Sequence, residues 1–185
     1  MAGHSKWAQI KRQKATTDAA RSRTFSRFAR LLTIESKKAG GNIGDPGLAA
    51  AITRAKAINM PKDNIERAIA KGISKDAGAL EQTLYEAYGP GGAALLIEAL
   101  TDNKNRTTQE LKHLLSKHGV ELAAPGAASW AFTKQGDGGY VAHEPRMELS
   151  DDDTEKLDAL LEALDEHEDV QRVFTNASGY EDTGD

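Results

Sequence analysis

Five histidines, 28 Asp and Glu residues and a scatter of serines are the side chains of this 185-residue chain that could hold a metal or move a proton. His113 and His118 stand five residues apart, which sets them about 140° apart on a helix and makes them poor partners for one ion. No HExxH occurs, and neither His4, His143 nor His167 has a set of ligands beside it in the sequence. There is no GxSxG elbow. Without a cysteine the chain has no thiolate nucleophile, no thiolate zinc site, no iron–sulfur ligands and no disulfide framework. Gly89-Pro90-Gly91-Gly92 lacks both the P-loop lysine and the dinucleotide-binding spacing, so it reads as a turn. Asp151, Asp152 and Asp153 lack the glycine and terminal glutamate of an EF-hand, and following Ser150 they suit a helix N-terminus. The surface acids offer so many carboxylate pairs that none is singled out. The expectation is a non-enzyme with no cofactor, no metal and no small-molecule substrate.

The chemistry the chain does offer is cationic. Over 18–39 the residues read as a helix, with Thr17 as N-cap and Gly40-Gly41 as its stop. Phe25, Phe28, Leu32 and Ala39 fall on one side of it, the side expected to face a core. Arg23, Arg27, Arg30 and Lys37 fall on the other, with no acid at i±4 to offset their repulsion. Such a stripe, with Arg21 beside it, suits phosphate neutralisation and counterion release. Upstream, Lys6, Lys11, Arg12 and Lys14 add cations around Trp7, whose indole either stacks on a base or pins the N-terminus to the helices. Arg106, in an Asn-Lys-Asn-Arg turn, either contacts phosphate or caps a loop.

The elements that must carry these residues divide the chain by charge. Residues 1–75 hold 16 Lys and Arg against 5 Asp and Glu, a net +11, and the remaining residues hold 8 against 23, a net −15. Their sum is the whole-chain −4. Asp45-Pro46 opens a second helix through Leu48, Ile52 and Ala55, and Asn59-Met60-Pro61 separates it from a third through Ile65, Ala68 and Ile69 to Gly72. Beyond a 74–79 linker the period changes to strands over 83–88 and 93–101. A helix over 107–118 follows, with Thr107 and Glu110 as a capping box, then strands over 128–133 and within 140–149. A leucine-faced helix from Ser150 and a strand over 170–175 close the order. The expected fold is α+β: a basic three-helix domain over 1–75, then a ferredoxin-like βαββαβ domain over 80–177 with an extra N-terminal strand, and an acidic tail over 178–185. No run is long and apolar enough to span a bilayer, and the start lacks a secretory apolar stretch, so a cytoplasmic protein is expected.

Several blocks resemble the YebC family, which includes the mitochondrial translational activators of cytochrome c oxidase. They are Ala2-Gly3-His4-Ser5-Lys6-Trp7, then Asn59-Met60-Pro61-Lys62-Asp63-Asn64-Ile65-Glu66-Arg67-Ala68-Ile69, then Tyr85-Glu86-Ala87-Tyr88-Gly89-Pro90-Gly91-Gly92. Leu100-Thr101-Asp102-Asn103-Lys104-Asn105-Arg106-Thr107, Ser116-Lys117-His118-Gly119 and Val170-Gln171-Arg172-Val173-Phe174-Thr175-Asn176-Ala177 continue them in order. The resemblance implies a helical first domain, a ferredoxin-like second and a third inserted within the second. Here only a short connection through 136–139 stands where the insert belongs, so the third domain is expected to be missing. Family members are described as probable DNA-binding transcriptional regulators, and others as translation factors at the ribosome that act on proline-rich nascent chains. The resemblance thus implies a nucleic-acid partner, DNA or ribosomal RNA, with no membrane. If the N-terminal segment is the contact, it carries over to His4, Lys6, Trp7, Lys11, Arg12 and Lys14. A protein–protein adaptor acting through the acidic half is the rival reading.

Overall fold

A computed structural model of the chain describes residues 18–75, 78, 80–136 and 138–180. Three helices come first: α1 (Asp18–Ala39), α2 (Pro46–Ala57) and α3 (Lys62–Ile73). Asp45 caps α2, its carboxylate accepting from the Gly47 and Leu48 amides at 2.9 and 3.2 Å, with Pro46 in the first turn where no amide is needed. Leu32, Leu48, Ala51, Ala55, Met60, Ile65 and Ala68 form the buried centre, with Phe25 and Phe28 packed against it. This core face was expected.

α1 and α3 approach so closely that side chains of one bond to the backbone of the other. Ser36 donates to the Ile69 carbonyl at 2.7 Å and Thr33 to that of Ala68 at 3.2 Å. Gly72 lies against the same stretch, and a Cβ there would stand 2.5 Å from the Thr33 carbonyl oxygen.

The second unit is built on a four-stranded antiparallel sheet of order β3-β1-β2-β6. Its strands are β1 (Glu81–Tyr88), β2 (Ala94–Thr101), β3 (Leu122–Ala123) and β6 (Val170–Thr175). A separate hairpin pairs β4 (Phe132–Lys134) with β5 (Tyr140–Ala142). Helices α4 (Lys104–Lys117) and α5 (Asp151–Glu166) cover one face of the sheet. There Leu95, Ile97, Leu111, Leu115, Leu157, Leu160 and Leu164 are wholly buried. Each such side chain contributes about 1.5–3 kcal/mol by leaving water. The hairpin covers the other face, where Ala94, Leu96 and Phe174 meet Ala131, Phe132 and Ala142.

The fold is α+β, as expected, and three details differ from the sequence reading. The additional strand β1 takes a central place between β2 and β3, because its tight turn at 89–93 pairs it with β2 along its whole length. The strand expected over 128–133 begins only at Phe132. Before it, the amides of Gly126, Ala128 and Ser129 all donate to the buried carboxylate of Glu86 at 2.7–2.8 Å, so they are lost to strand pairing. The capping box at Thr107 is also corrected: α4 starts at Lys104, and Asn103 caps it by accepting from the Arg106 amide at 3.1 Å. Thr107 lies inside the helix, wholly buried.

Between β4 and β5, the two ends of the connection are bonded to each other as in a tight turn. The Gln135 amide donates to the Gly139 carbonyl at 2.8 Å, and Gly138 takes the positive φ the turn demands. Arg172 of β6 secures the tip, donating to the Gly138 carbonyl at 3.0 Å and to Glu98 at 2.7 Å.

Candidate nucleic-acid interface

α1 carries arginines at 21, 23, 27 and 30, and the structure divides them into two groups. Arg21 is exposed and Arg23 half-buried, and neither has a hydrogen-bond or ion-pair partner among the described residues. Arg27 and Arg30 turn instead to the far end of the second unit. Arg27 pairs with the Asp165 carboxylate at 2.9 Å and donates to the Asp165 carbonyl as well. Arg30 reaches Asp169 at 2.5 Å and the Glu168 carbonyl at 3.0 Å. The stripe does lack acids at i±4, as the sequence says, but its partners come from more than 130 residues away. Arg27 and Arg30 are therefore committed to carboxylates of their own chain.

Asp169 is the centre of this junction. It is 3% exposed and accepts from Arg30, from Arg106 at 3.0 Å and from Thr107 at 2.7 Å. Burial pushes its pKa up, yet the hydrogen bonds from Thr107, Arg106 and Arg30 outweigh this and hold it below the ordinary carboxylate value. Arg106 also bonds to Asp102 at 3.0 Å and lies 3.7 Å from Glu110. Of the two roles open to Arg106, the structure supplies carboxylate partners beside the α4 N-terminus.

The second unit also brings Glu110, His167 and Asp169 within 4.8 Å of one another, a grouping that no sequence spacing announces. His167 accepts from the Asp169 amide through Nδ1 and faces Glu110 through Nε2 at 3.1 Å. These three do not suit a cation. The Asp169 oxygens are already taken by three donors, and two guanidinium groups occupy the positions a metal would need. The residues line a cavity of about 530 Å³ together with Arg30, Asp102, Arg106 and Glu168. A smaller cleft of about 180 Å³ opens on the α1 side, lined by Ser22, Arg23, Ser26, Arg27, Arg30 and Glu168.

Of the other residues read from the sequence, His4, Lys6, Trp7, Lys11, Arg12 and Lys14 lie outside the described residues. The Thr17 cap does too, as do residues 181–185 of the expected tail. The sequence reading missed a fixed aromatic pair: Trp130 is 64% exposed, and its indole N–H donates to the Tyr88 hydroxyl at 2.9 Å. Tyr88 in turn donates to the Ala127 carbonyl. Among the described residues, no helix is long and apolar enough to cross a membrane.

Two family models match the chain. Residues 5–75 match the TACO1/YebC protein N-terminal domain, and residues 80–139 match the TACO1/YebC second and third domain. The second match stops within the β4–β5 hairpin. A probable transcriptional regulatory protein of Kosmotoga olearia is 46% identical over 95% of this chain and 70% of its own length. One from Petrotoga mobilis is 47% identical over the same shares. One from Desulfosudis oleivorans is 35% identical, in an alignment of 245 positions that takes in the whole of both chains. That alignment is longer than the 185 residues here. The crystal structure of a conserved hypothetical protein from Aquifex aeolicus superposes with a TM-score of 0.77 at 29% identity, covering 86% of this chain and 91% of that one. On the strength of these matches, the chain belongs to the TACO1/YebC family.

Proposed function

We propose that this protein is a non-enzymatic regulator of gene expression that binds nucleic acid through its helical unit, residues 1–75. The observation that carries the reading is the set of cations left over once internal ion pairs are formed. Arg21, Arg23, Lys37, Lys56, Arg67, Lys71 and Lys75 have no ion-pair partner among the described residues. Unpaired cations on one small unit repel each other until a polyanion arrives, and each phosphate they neutralise releases counterions. The names of the relatives as probable transcriptional regulatory proteins agree with such a partner. Lys6, Lys11, Arg12 and Lys14 would extend the surface, and a cytoplasmic location would follow from the partner. The acidic unit over 80–177 is poorly suited to lie along phosphates, and in this reading it is the part left for protein contacts.

Cross-linking the protein in cells and sequencing the bound nucleic acid tests the reading. Recovery of genomic DNA supports a transcriptional role. Recovery of ribosomal RNA supports action at the ribosome, the second role implied by the family resemblance. Recovery of neither, with a protein partner in its place, returns the adaptor reading and ends this one.

A further inference from the structure

We propose that the cleft between α1 and the 165–169 turn is a binding site for a single phosphate group, with Ser22, Arg23 and Ser26 at its mouth and Arg27 and Arg30 behind them. The assignment of that phosphate to a nucleic-acid backbone rests on the function proposed above. The cleft itself stands on separate observations.

Its volume of about 180 Å³ leaves ample room for a phosphate group. Apart from Glu168, its lining comes from one side of α1, where residues at i, i+4 and i+8 stack above each other. The Ser22 and Ser26 hydroxyls and the whole Arg23 guanidinium have no partner among the described residues. Arg27 adds a further donor: its Nε is buried and has no acceptor among the described residues, while its other two nitrogens are held by Asp165. A buried N–H without an acceptor is costly, and a phosphate oxygen would satisfy it after a small shift of the side chain. Because Asp165 and Asp169 already fix Arg27 and Arg30, the ligand need not order them.

Glu168 is the one carboxylate lining the cleft. Its side chain is 85% exposed and stands 3.9 Å from Arg30, whereas its carbonyl holds Arg30 at 3.0 Å. The carboxylate can swing into solvent and leave that carbonyl bond in place. A phosphate dianion or diester then takes its position beside the guanidinium groups, which suit bidentate contact.

The test follows the arginine Nε–Hε signals of the full, isotope-labelled chain by NMR. Inorganic phosphate, duplex DNA and a ribosomal RNA fragment are titrated separately. Arg23→Gln removes a donor and Ser26→Asp places a carboxylate at the mouth, and unchanged thermal melts establish that both variants fold. The expected result is that phosphate shifts the Arg23 and Arg27 signals of the wild type but not the Arg27 signal of Ser26→Asp. Arg23→Gln should weaken nucleic-acid binding about fivefold irrespective of sequence and lower the salt slope by about one. Wild-type nucleic-acid binding with unchanged affinity and slope in both variants would overturn the site and leave the proposed function standing. If the wild type binds neither nucleic acid at low salt, the proposed function falls instead. A phosphate shift that Ser26→Asp abolishes would then keep the site and make free phosphate or a nucleotide its source, and no shift would remove both.

Discussion

Asp169 holds its charge in a nearly buried place because three donors converge on it, two of them cationic. Removing the charge while keeping the shape should be costly. Asp169→Asn is expected to destabilise the protein by about 3 kcal/mol, since Arg30 loses its buried counter-charge; urea unfolding measures it. The pH dependence follows from the lowered pKa. The stabilisation is fully present above the unfolded carboxylate value of about 4 and is lost as pH falls through the lower folded value. Wild type and Asp169→Asn should therefore converge in stability in acid. A gap that stays constant down to pH 2 would sink the assignment. Glu86 is a second case: burial raises its pKa, but the amides of Gly126, Ala128 and Ser129 more than reverse this. Glu86→Gln should cost about 1–3 kcal/mol and loosen the loop that seats Trp130, visible in tryptophan fluorescence. Neither carboxylate stands out in the sequence, because its partners are 40 or more residues away or, like Arg30, far more.

The helices were legible as elements because their signals are local. Asp45-Pro46 and Ser150 mark α2 and α5 with caps that the structure shows in place. The leucine spacing of α5 names the face that is buried. Where two local signals compete, the nearer packing decides. Asn103 and Thr107 can both cap a helix, and α4 uses Asn103 because the Thr107 hydroxyl is drawn inward to Thr101 and Asp169. Helix against helix, Gly72 is the sensitive position. Gly72→Ala should destabilise the helical unit by about 1–3 kcal/mol through overpacking, since the new methyl meets Thr33 backbone and the Ser36 side chain. Gly78→Ala is the control, because a Cβ there meets nothing within 4 Å. Equal thermal melts for the two variants would contradict the close approach of α1 and α3.

At the scale of the molecule, the helical unit and the sheet unit have separate hydrophobic clusters, and among the described residues none of these clusters spans both. The contacts described between them are polar: Arg27 with Asp165, and Arg30 with Glu168, Asp169 and the Leu100 carbonyl. Units joined this way move relative to each other more readily than units sharing a core. Arg27→Ala combined with Arg30→Ala should raise the radius of gyration in small-angle scattering while each unit keeps its fold. High salt should have a weaker effect in the same direction, because Asp169 is shielded from solvent. Scattering that is identical for variant and wild type would show that something else holds the units. The same contacts rule out a triple charge reversal of Arg23, Arg27 and Arg30 as a clean probe of binding, since two of the three would face carboxylates. Arg21 and Arg23 are the positions where loss of binding can be read without loss of the junction.

By itself the sequence determined the charge division at residue 75, the core faces of the helices, the α+β order and the family. These depend on composition, on periods of a few residues and on motifs read in order. The resemblance also implied a missing insert at 136–139, where the structure has the β4–β5 hairpin with Arg172 bonded to the Gly138 carbonyl. Only the tertiary structure decided which arginines are open. Arg21, Arg23, Arg27 and Arg30 are the same kind of residue on one helix, and no local rule separates them. Folding does, because it brings Asp165 and Asp169 against two of them and leaves the other two without a partner among the described residues. Charge is a property of the residue, but its availability depends on what the rest of the chain places beside it.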